Sequence, residues 1–266
     1  MIIEWNHHLF HADTTRYPFH SQAAYRPDAS RFPADPLADY LAHMDAHAID
    51  RAILVHPEPY GDDHRLVLDS LEREPERFLG TALFYPADPD APKKLRALVA
   101  RQPRIIALRF HALRNKTVYL DRFSDRGPTA LWETAAELGL WVELHIDPAF
   151  AAQIAPLVKR FPETTVLIDH LAEPYMGTGV EFANVLALAE YPNVYMKLSG
   201  LNHFATDAPL YTSVLPFTRW VADAFGPQRM VWGSGTPEIV DAHLPHFSAE
   251  ERALVKGGTL AKLLPW

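Results

Sequence analysis

Residues 141–170, WVELHIDPAFAAQIAPLVKRFPETTVLIDH, decide the fold of this 266-residue chain. The apolar run 141–147 predicts a buried strand, residues 149–161 carry apolar side chains at helical spacing, and a second apolar run follows at 164–170. Near-continuous apolar strands on either side of a helix are typical of parallel sheet that is covered on both faces. The stretch therefore predicts a β-α-β unit, and each of its strands ends in a histidine and an aspartate.

The same alternation continues along the rest of the chain. Further apolar runs, separated by segments with helical spacing, lie at 2–8, 51–57, 79–86, 104–112, 194–200 and 229–235. Together with the unit above they give eight strands, which predicts an α/β fold and a single (β/α)8 TIM barrel over residues 1–266. A doubly wound open sheet is the alternative, and it is disfavoured because no strand is followed by a glycine-rich dinucleotide loop.

Two segments lie outside this alternation. Residues 10–36 are irregular and rich in proline, arginine and aromatic residues. A loop of that length inside a compact domain is usually functional, so we expect a lid or binding loop. The tail 247–266, FSAEERALVKGGTLAKLLPW, predicts helices that close the barrel.

The composition limits the classes of partner and of chemistry. The formal net charge is −8, which argues against nucleic acid as a partner, because phosphate binding needs clustered Lys and Arg. The chain has no cysteine, which excludes disulfides, thiolate catalysis and sulfur-ligated metals. No apolar stretch approaches the length of a membrane helix and no basic leader with an apolar run is visible. We therefore expect a cytoplasmic protein without a membrane partner.

Polar residues gather where the predicted strands end. In a (β/α)8 barrel the carboxyl ends of the strands surround the active site, and histidine at several strand ends is not explained by turn chemistry. The strand-end residues are Asn6, His8, His56, Arg109, His111, His145, His170, Ser199 and His203, with Glu173 and Glu238 close behind two of the strands. They predict a single acid–base site in the barrel mouth.

Side-chain alternation along a strand predicts which of these residues face the mouth. On strand one it places His8 inside together with Asn6 and Glu4. On strand six it points Asp169 away from the mouth, because Asp169 alternates with His170. A buried cation needs an anionic partner, so Arg109 is expected to bind a carboxylate of the substrate.

The motifs resemble the amidohydrolase superfamily. The matching stretches, in chain order, are EWNHHLF (4–10), RYPFHSQAAYRPD (16–28), IDRAILVHPEPYGDDHR (49–65), ALRFHA (107–112), VLIDHLAEP (166–174), MKLSGL (196–201) and RMVWGSGTPE (229–238). Within the superfamily they are similar to the amidohydrolase 2 branch, most of all to the 2-pyrone-4,6-dicarboxylate lactonase group. The resemblance covers most of the chain.

The resemblance also defines departures from the family pattern. Relatives carry an acid-x-His-x-His pattern on strand one, where this chain has Asn6 in place of the first histidine. Relatives read Gly-Ser-Asp on strand eight, where this chain has Gly235 in place of the aspartate that activates water. Two arginines that hold carboxylates in the lactonase are replaced by Glu173 and His203. The remaining ligands would hold zinc poorly, so the resemblance implies no bound metal and no other cofactor.

The resemblance implies a metal-independent hydrolase of a small cyclic ester or related carboxylic acid. The substrate is expected to be a small anionic molecule with fewer charges than the pyrone dicarboxylate, and an oligomer is possible. The expected catalytic residues are His8, His145, His170, Glu173 and Glu238, with histidine or glutamate activating water. The expected substrate-binding residues are Asn6, Tyr25, His56, Tyr60, Arg109, His111, Ser199 and His203, and the lid aromatics Tyr17, Phe19 and Tyr25 would stack on a ring.

Two other functions remain open at this point. The first is a lyase on the same scaffold, a decarboxylase or hydratase of an aromatic or unsaturated acid. Decarboxylation usually needs an electron sink such as a metal, which the changes at Asn6 and Gly235 disfavour. The second is a catalytically degenerate homologue that binds a small molecule, which the loss of the strand-eight aspartate makes credible and the retained histidines oppose.

Overall fold

The computed structural model describes residues 1–114 and 119–266, and its centre is one sheet of eight parallel strands. Each strand pairs with the next in chain order, and β8 packs beside β1, so the sheet curls into a barrel. The strands are β1 (Ile3–His7), β2 (Arg51–Leu54), β3 (Phe78–Leu83), β4 (Ile105–Ala112), β5 (Trp141–Ile146), β6 (Val166–Ile168), β7 (Val194–Leu198) and β8 (Met230–Trp232). The predicted (β/α)8 barrel is confirmed.

Helices cover the outer face of the sheet, as right-handed β-α-β crossovers require. They are α1 (Pro36–Ala46), α2 (Arg65–Arg73), α3 (Ala91–Arg101), α4 (Arg126–Glu137), α5 (Ala151–Arg160), α6 (Gly179–Ala187), α7 (Leu215–Phe225), α8 (Glu238–His243), α9 (Ala249–Ala253) and α10 (Thr259–Leu263). Asp35 begins α1 by accepting a hydrogen bond from the Ala38 amide, and a capping box of Thr178 and Glu181 begins α6. No helix in the described ranges is long and apolar enough to cross a membrane.

The inside of the barrel is apolar at the bottom and polar at the top. Alternation along the strands points Ala107, Trp141, Leu167 and Val231 inward, where they join one buried cluster. The tail closes the lower end, because Leu260 on α10 belongs to the same cluster. The helices predicted for this tail are therefore confirmed. Two residues after Ala107, Trp141 and Leu167, the inward positions carry the charges of Arg109, Glu143 and Asp169, which form the floor of the site together with Lys197.

The segment 10–36 is irregular apart from one 3-10 turn, Ala29–Arg31, as predicted. Its contacts hold it against the loop after β2. The amide of His20 donates to the carbonyl of Pro59 at 2.7 Å, and the amide of Ala24 donates to a carboxylate oxygen of Glu58 at 3.0 Å. The Glu58 carboxylate also accepts a hydrogen bond from the Tyr85 hydroxyl at 2.7 Å. This segment is thereby tied down beside the barrel mouth.

Candidate active site

A cavity of about 440 Å³ opens at the carboxyl ends of the strands. That volume suits a small organic molecule. The lining residues are Asn6, His8, Tyr25, Arg109, His111, Leu113, His145, His170, Glu173, Tyr175, Met176, His203 and Phe204. Most of the strand-end residues singled out in the sequence therefore meet in one place.

The floor of the cavity is a buried ion cluster of four side chains. Lys197 on β7 contacts Glu143 on β5, and its Nζ lies 2.7 Å from Asp169 Oδ1. Arg109 on β4 donates from Nε and Nη2 to Asp169 Oδ2 at 3.0 and 2.8 Å. Two cations and two carboxylates compensate one another here, which is the condition for burying charge at low cost.

The pKa values in this floor follow from burial and mutual charge. Burial opposes ionisation of Asp169, but the charges of Lys197 and Arg109 outweigh it and hold the pKa of Asp169 well below its ordinary value. Burial and the neighbouring Asp169 charge raise the pKa of Glu143 to about 7. Asp169 is therefore the permanent counter-charge of Arg109.

Above the floor, Glu173 holds two imidazoles. Its Oε1 lies 3.0 Å from His145 Nε2 and 2.8 Å from His203 Nδ1. Because a carboxylate can only accept, both ring nitrogens donate. Burial alone would raise the pKa of Glu173, but the hydrogen bonds from His145 and His203 outweigh burial and lower it. Glu173 is therefore an ionised carboxylate that orients two histidines.

His170 is held separately. Its Nδ1 lies 2.7 Å from Ser199 Oγ on the loop after β7, and its ring meets the His145 ring edge to face at 4.7 Å. Burial lowers the pKa of His170 and of His145 well below the ordinary value, so both rings are neutral near pH 7.

An unusual turn brings these groups into the cavity. Four successive non-glycine residues, His170 to Glu173, have φ between 50° and 59°. Left-handed backbone costs an ordinary residue roughly 1–2 kcal/mol, and it normally occurs one residue at a time. Such strain concentrates at functional sites. The turn reverses the chain after β6 and places the His170 ring and the Glu173 carboxylate on the same side.

The geometry around this turn bears on three predictions. Asp169 was expected to point away from the mouth, but it points inward and continues the side-chain alternation of β6. His170 no longer follows that alternation, because the strand ends at Ile168 and His170 has a φ of 53°. Glu173 was expected to be catalytic together with His145 and His170, and its hydrogen-bond partners are His145 and His203. The cation of Arg109, expected to bind a substrate carboxylate, is already paired with Asp169.

Strand one places two of its three predicted residues in the cavity. The register of β1 against β2 shifts between Trp5 and His7, so Trp5 and Asn6 both turn inward. Glu4 was expected inside with Asn6 and His8, but it faces α1 and accepts a hydrogen bond from the Tyr40 hydroxyl at 2.8 Å. A β-bulge of this kind cannot be read from alternation.

The hydrogen bonds of strand one determine which of two groups donates and which accepts a hydrogen bond from a ligand. His8 Nδ1 lies 2.7 Å from the carbonyl oxygen of Val55 and must donate to it. Burial lowers the pKa of His8 to about 3, so His8 is neutral and its Nε2 is an acceptor. Asn6 Oδ1 accepts from Lys197 Nζ at 3.3 Å, which leaves the Asn6 amide protons as donors. His8 therefore accepts hydrogen bonds and Asn6 donates them.

Besides Ser199, whose hydroxyl hydrogen-bonds His170 Nδ1, three predicted site residues lie outside the cavity lining. His56 is fully buried, and its Nε2 donates to the Gly61 carbonyl at 2.8 Å. Tyr60 is buried, and its hydroxyl accepts a hydrogen bond from the His11 amide. Glu238 is exposed at the start of α8, where Thr236 lowers its pKa by hydrogen bonding. Burial by the loop after β2 explains the first two placements, and helix position explains the third.

The lid aromatics also differ from the prediction. Tyr25 lines the cavity with its ring 6.4 Å from the ring of His111. Tyr17 instead donates a hydrogen bond to Asp69 at 2.6 Å, and Phe19 packs on Tyr60. Only Tyr25 of the three is therefore in a position to contact a ligand in this cavity.

Sequence reasoning missed the apolar wall and the ion pairs of the floor. The wall consists of Leu113, Tyr175, Met176 and Phe204, which lie in loops without a recognisable pattern. The floor did have a signal, since Glu143 and Lys197 are single charges inside otherwise apolar strands. Arg109 and Glu143 are also direct neighbours in the ladder between β4 and β5.

The metal positions implied by the resemblance on strands one and eight do not fit an ion in this chain. Lys197 Nζ, itself a cation, lies 3.3 Å from Asn6 Oδ1. Gly235 offers no side-chain ligand. Both departures from the family pattern therefore remove a metal ligand. At one of the two lost positions, that of Asn6, a lysine ammonium lies close by.

The backbone conformation at Gly235 favours glycine over other residues. Its φ is +85°, and an added Cβ would lie 2.3 Å from Ile239 Cδ1. We expect Gly235→Asp, which restores the family residue, to lower the free energy of unfolding by about 1–3 kcal/mol in urea titrations. Gly139→Asp is the control, because Gly139 has φ +67° and open space around its Cβ. A Gly235→Asp protein as stable as the parent would refute this interpretation.

Comparison with known proteins assigns the family. The Amidohydrolase family profile matches residues 3–256, and the chain belongs to that family. The 4-sulfomuconolactone hydrolase of Hydrogenophaga intermedia is 29% identical over 98% of this chain and 80% of its own length. The L-fucono-1,5-lactonase of Burkholderia ambifaria is 29% identical over 71% of this chain and 65% of its own. The resemblance inferred from the sequence motifs is confirmed.

A solved structure supports the same fold. A probable 2-pyrone-4,6-dicarboxylic acid hydrolase from Acinetobacter baumannii superimposes with a TM-score of 0.72. The superposition covers 98% of this chain and 92% of that one, at 20% sequence identity. At this identity the likeness concerns the barrel and not the ligand.

Proposed function

We propose that this chain hydrolyses a small lactone. The observation that carries the proposal is the ionised Glu173 carboxylate, which holds two imidazoles at the wall of a cavity in the barrel mouth. A carboxylate that fixes the tautomer of a histidine is a recurrent device for activating a nucleophile. The lactone hydrolases among the relatives support the choice of a cyclic ester as the reacting group.

Water activation falls to His203 in this proposal. Its Nδ1–H donates to Glu173, so Nε2 carries the free lone pair. The His203 side chain is 40% exposed, which lets a water molecule reach it. His203 takes the proton as water attacks the lactone carbonyl carbon, and the Glu173 carboxylate stabilises the resulting imidazolium. The proton then passes to the ring oxygen as the C–O bond breaks and the hydroxy acid forms.

The negative charge that develops on the carbonyl oxygen needs donors on the opposite side. The Asn6 amide is one, because Lys197 engages its Oδ1 and leaves its N–H groups for the cavity. Arg109 is a second, since its bonds to Asp169 use Nε and Nη2 and do not involve Nη1. Preorganised donors of this kind stabilise the tetrahedral intermediate without rearranging. Neutral His8 accepts a hydrogen bond from a hydroxyl of the substrate.

The substrate in this proposal carries no more than one anionic group. Among the described residues that line the cavity, Arg109 is the cation, and Asp169 already compensates its charge. The ionised Glu173 repels a second anion. Phe204 and Met176 provide an apolar face for the ring. A lactone with hydroxyl substituents or a single acid group fits these charges better than a dicarboxylate does.

A panel of lactones tests the proposal. Release of acid is followed with a pH indicator for sugar 1,5-lactones, for 4-sulfomuconolactone and for 2-pyrone-4,6-dicarboxylate. We expect turnover of at least one lactone that carries no more than one anionic group, and no turnover of the dicarboxylate. Absence of hydrolysis across the panel, with release of carbon dioxide from aromatic acids instead, would replace the hydrolase by a lyase.

Asn6→Ala gives a second prediction. Removing one oxyanion donor typically costs about 10²–10³ in kcat, and we expect a loss in that range with a smaller change in KM. The control is Asn193→Ala, because the Asn193 amide bonds the Thr164 carbonyl before β7, at the far end of the barrel. Unchanged kcat in Asn6→Ala would move the oxyanion site elsewhere in the cavity.

A further inference from the structure

The turn after β2 holds the irregular segment 10–36, the lid, at three separate points. This turn is the 3-10 helix Glu58–Tyr60, and each of its three residues accepts a hydrogen bond from a lid amide. The amides are those of Ala24, His20 and His11, and their acceptors are the Glu58 carboxylate, the Pro59 carbonyl and the Tyr60 hydroxyl, in that order. Three successive residues therefore determine the position of a lid that has little regular structure of its own.

Glu58 is the anchor beside the cavity. Its two carboxylate oxygens lie 3.0 and 3.1 Å from the Ala24 amide nitrogen, and Oε1 accepts a further hydrogen bond from the Tyr85 hydroxyl at 2.7 Å. Glu58 is 1% exposed, so packing and Tyr85 fix the carboxylate itself. Ala24 directly precedes Tyr25, which lines the cavity. The backbone position of Tyr25 is therefore set, one residue away, by a buried group.

Burial of the Tyr25 ring does not by itself hold Tyr25 in place. Tyr25 is 40% exposed, and its ring lies 6.4 Å, centroid to centroid, from the ring of His111. The residues on either side of Tyr25 form no helix or strand. A segment with exposed groups and irregular backbone opens locally at low free energy unless it is anchored. The hydrogen bond of Ala24 to Glu58 therefore controls how often Tyr25 faces the cavity.

The residue type at position 58 is not explained by stability. The described donors to the Glu58 carboxylate, a backbone amide and a phenol hydroxyl, are both neutral. Burial of a carboxylate against neutral donors costs free energy, because such donors do not compensate its charge. An apolar side chain would avoid this cost, but it could not accept the hydrogen bond of the Ala24 amide. The carboxylate therefore serves the lid and not the core.

We propose that Glu58 is a positioning residue that holds Tyr25 over the cavity, so that the lid is in place before a substrate arrives. A substrate ring then meets Tyr25 without the cost of ordering the lid. Loss of the anchor lowers the fraction of chains that are competent to bind, and KM rises by the inverse of that fraction while kcat changes little. The effect on KM rests on the proposed lactone hydrolysis, whereas the position of the lid does not.

Limited digestion with chymotrypsin measures the position of Tyr25 without any substrate. Cleavage after Tyr25 requires the lid to open, so its rate follows the population of the open lid. We expect cleavage at this bond to be at least about tenfold faster in Glu58→Ala than in the parent, because hydrogen bonds to a carboxylate contribute about that factor. Glu58→Gln is expected to keep most of the protection, since its amide oxygen still accepts from the Ala24 amide.

Asp69→Ala is the matched control for the digestion. Asp69 is a carboxylate that also holds the lid, but it accepts from the Tyr17 hydroxyl, at 2.6 Å, and not from a group beside Tyr25. We expect its cleavage after Tyr25 to proceed at the rate of the parent, and circular dichroism confirms that each variant is folded. Equal rates in Glu58→Ala and the parent would overturn the proposal, and so would an increase in Asp69→Ala as large as that in Glu58→Ala.

Steady-state kinetics with a lactone that the parent turns over measures the consequence for the site. We expect Glu58→Ala to raise KM about tenfold and to leave kcat within about twofold of the parent value. In a Tyr25→Ala background the same change is expected to raise KM less than about twofold, because Glu58 acts through Tyr25. A fall in kcat at unchanged KM, or an undiminished effect in that background, contradicts the positioning role. If no lactone is turned over, the hydrolase proposal fails, and the digestion alone decides the role of Glu58.

Discussion

Replacing Glu173 with glutamine is expected to lower kcat for lactone hydrolysis by about 10²–10⁴, the usual contribution of a positioned acid–base group. The amide keeps the size of the side chain and loses its charge. The glutamine carbonyl oxygen could still accept from His145 Nε2 and His203 Nδ1, but these hydrogen bonds would be neutral and weaker than those to the ionised carboxylate. The histidine that takes the proton from water is then free to adopt the wrong tautomer, and its imidazolium lacks a counter-charge.

The measurement is steady-state kinetics on chelator-treated protein, so that no ion contributes. Glu238→Gln is the control, because Glu238 is an exposed carboxylate at the start of α8, away from the cavity lining. We expect it to retain the kcat of the parent. If Glu173→Gln kept at least half of that kcat, Glu173 would not act on the base, and His8 or His170 would have to be the group that activates water.

Replacing Lys197 with methionine is expected to lower the free energy of unfolding by about 3–5 kcal/mol, the cost of removing one partner from a buried ion pair. Methionine is similar in length, so the change removes charge more than volume. Asp169 and Glu143 would then share Arg109 as their cation, with Arg109 Nε 3.9 Å from Glu143 Oε1. Protonation of Glu143, whose pKa is about 7, offsets part of this cost.

Urea unfolding at neutral pH measures this change. The control is Arg219→Met on α7, because the pair of Arg219 with Asp223 is exposed and spaced i,i+4. An exposed pair of this kind is worth less than about 0.5 kcal/mol. A loss below about 1 kcal/mol for Lys197→Met would mean that the floor is not held by charge.

The fold could be predicted because the residues of each strand show whether that strand is buried. Segments such as Val166–Ile168 are apolar on both faces, as strands inside a covered parallel sheet must be, and eight strands in this length leave few alternatives. The presence of helices in the tail and the irregular segment 10–36 could also be predicted. Each depends on neighbours in sequence and not on contacts between distant elements.

The site could be predicted as a set of residues but not as a set of pairs. Strand ends converge by topology, so His145 and Arg109 were placed in the mouth correctly. Their hydrogen-bond partners depend on local backbone irregularities, which side-chain alternation along a strand does not predict. The shift of register beside Trp5 turns Asn6 inward, and the left-handed turn at His170 lets both Asp169 and His170 point inward.

The turn after β6 also bears on how new specificities would arise in this barrel. Glu173 and two residues of the apolar wall, Tyr175 and Met176, lie within four consecutive positions, 173–176. Insertions or deletions there would displace the carboxylate together with the wall. Adaptation to a bulkier ring should therefore accumulate at Leu113 and Phe204, which come from other loops, and libraries that randomise those two codons should yield active variants more often than libraries at 175 and 176.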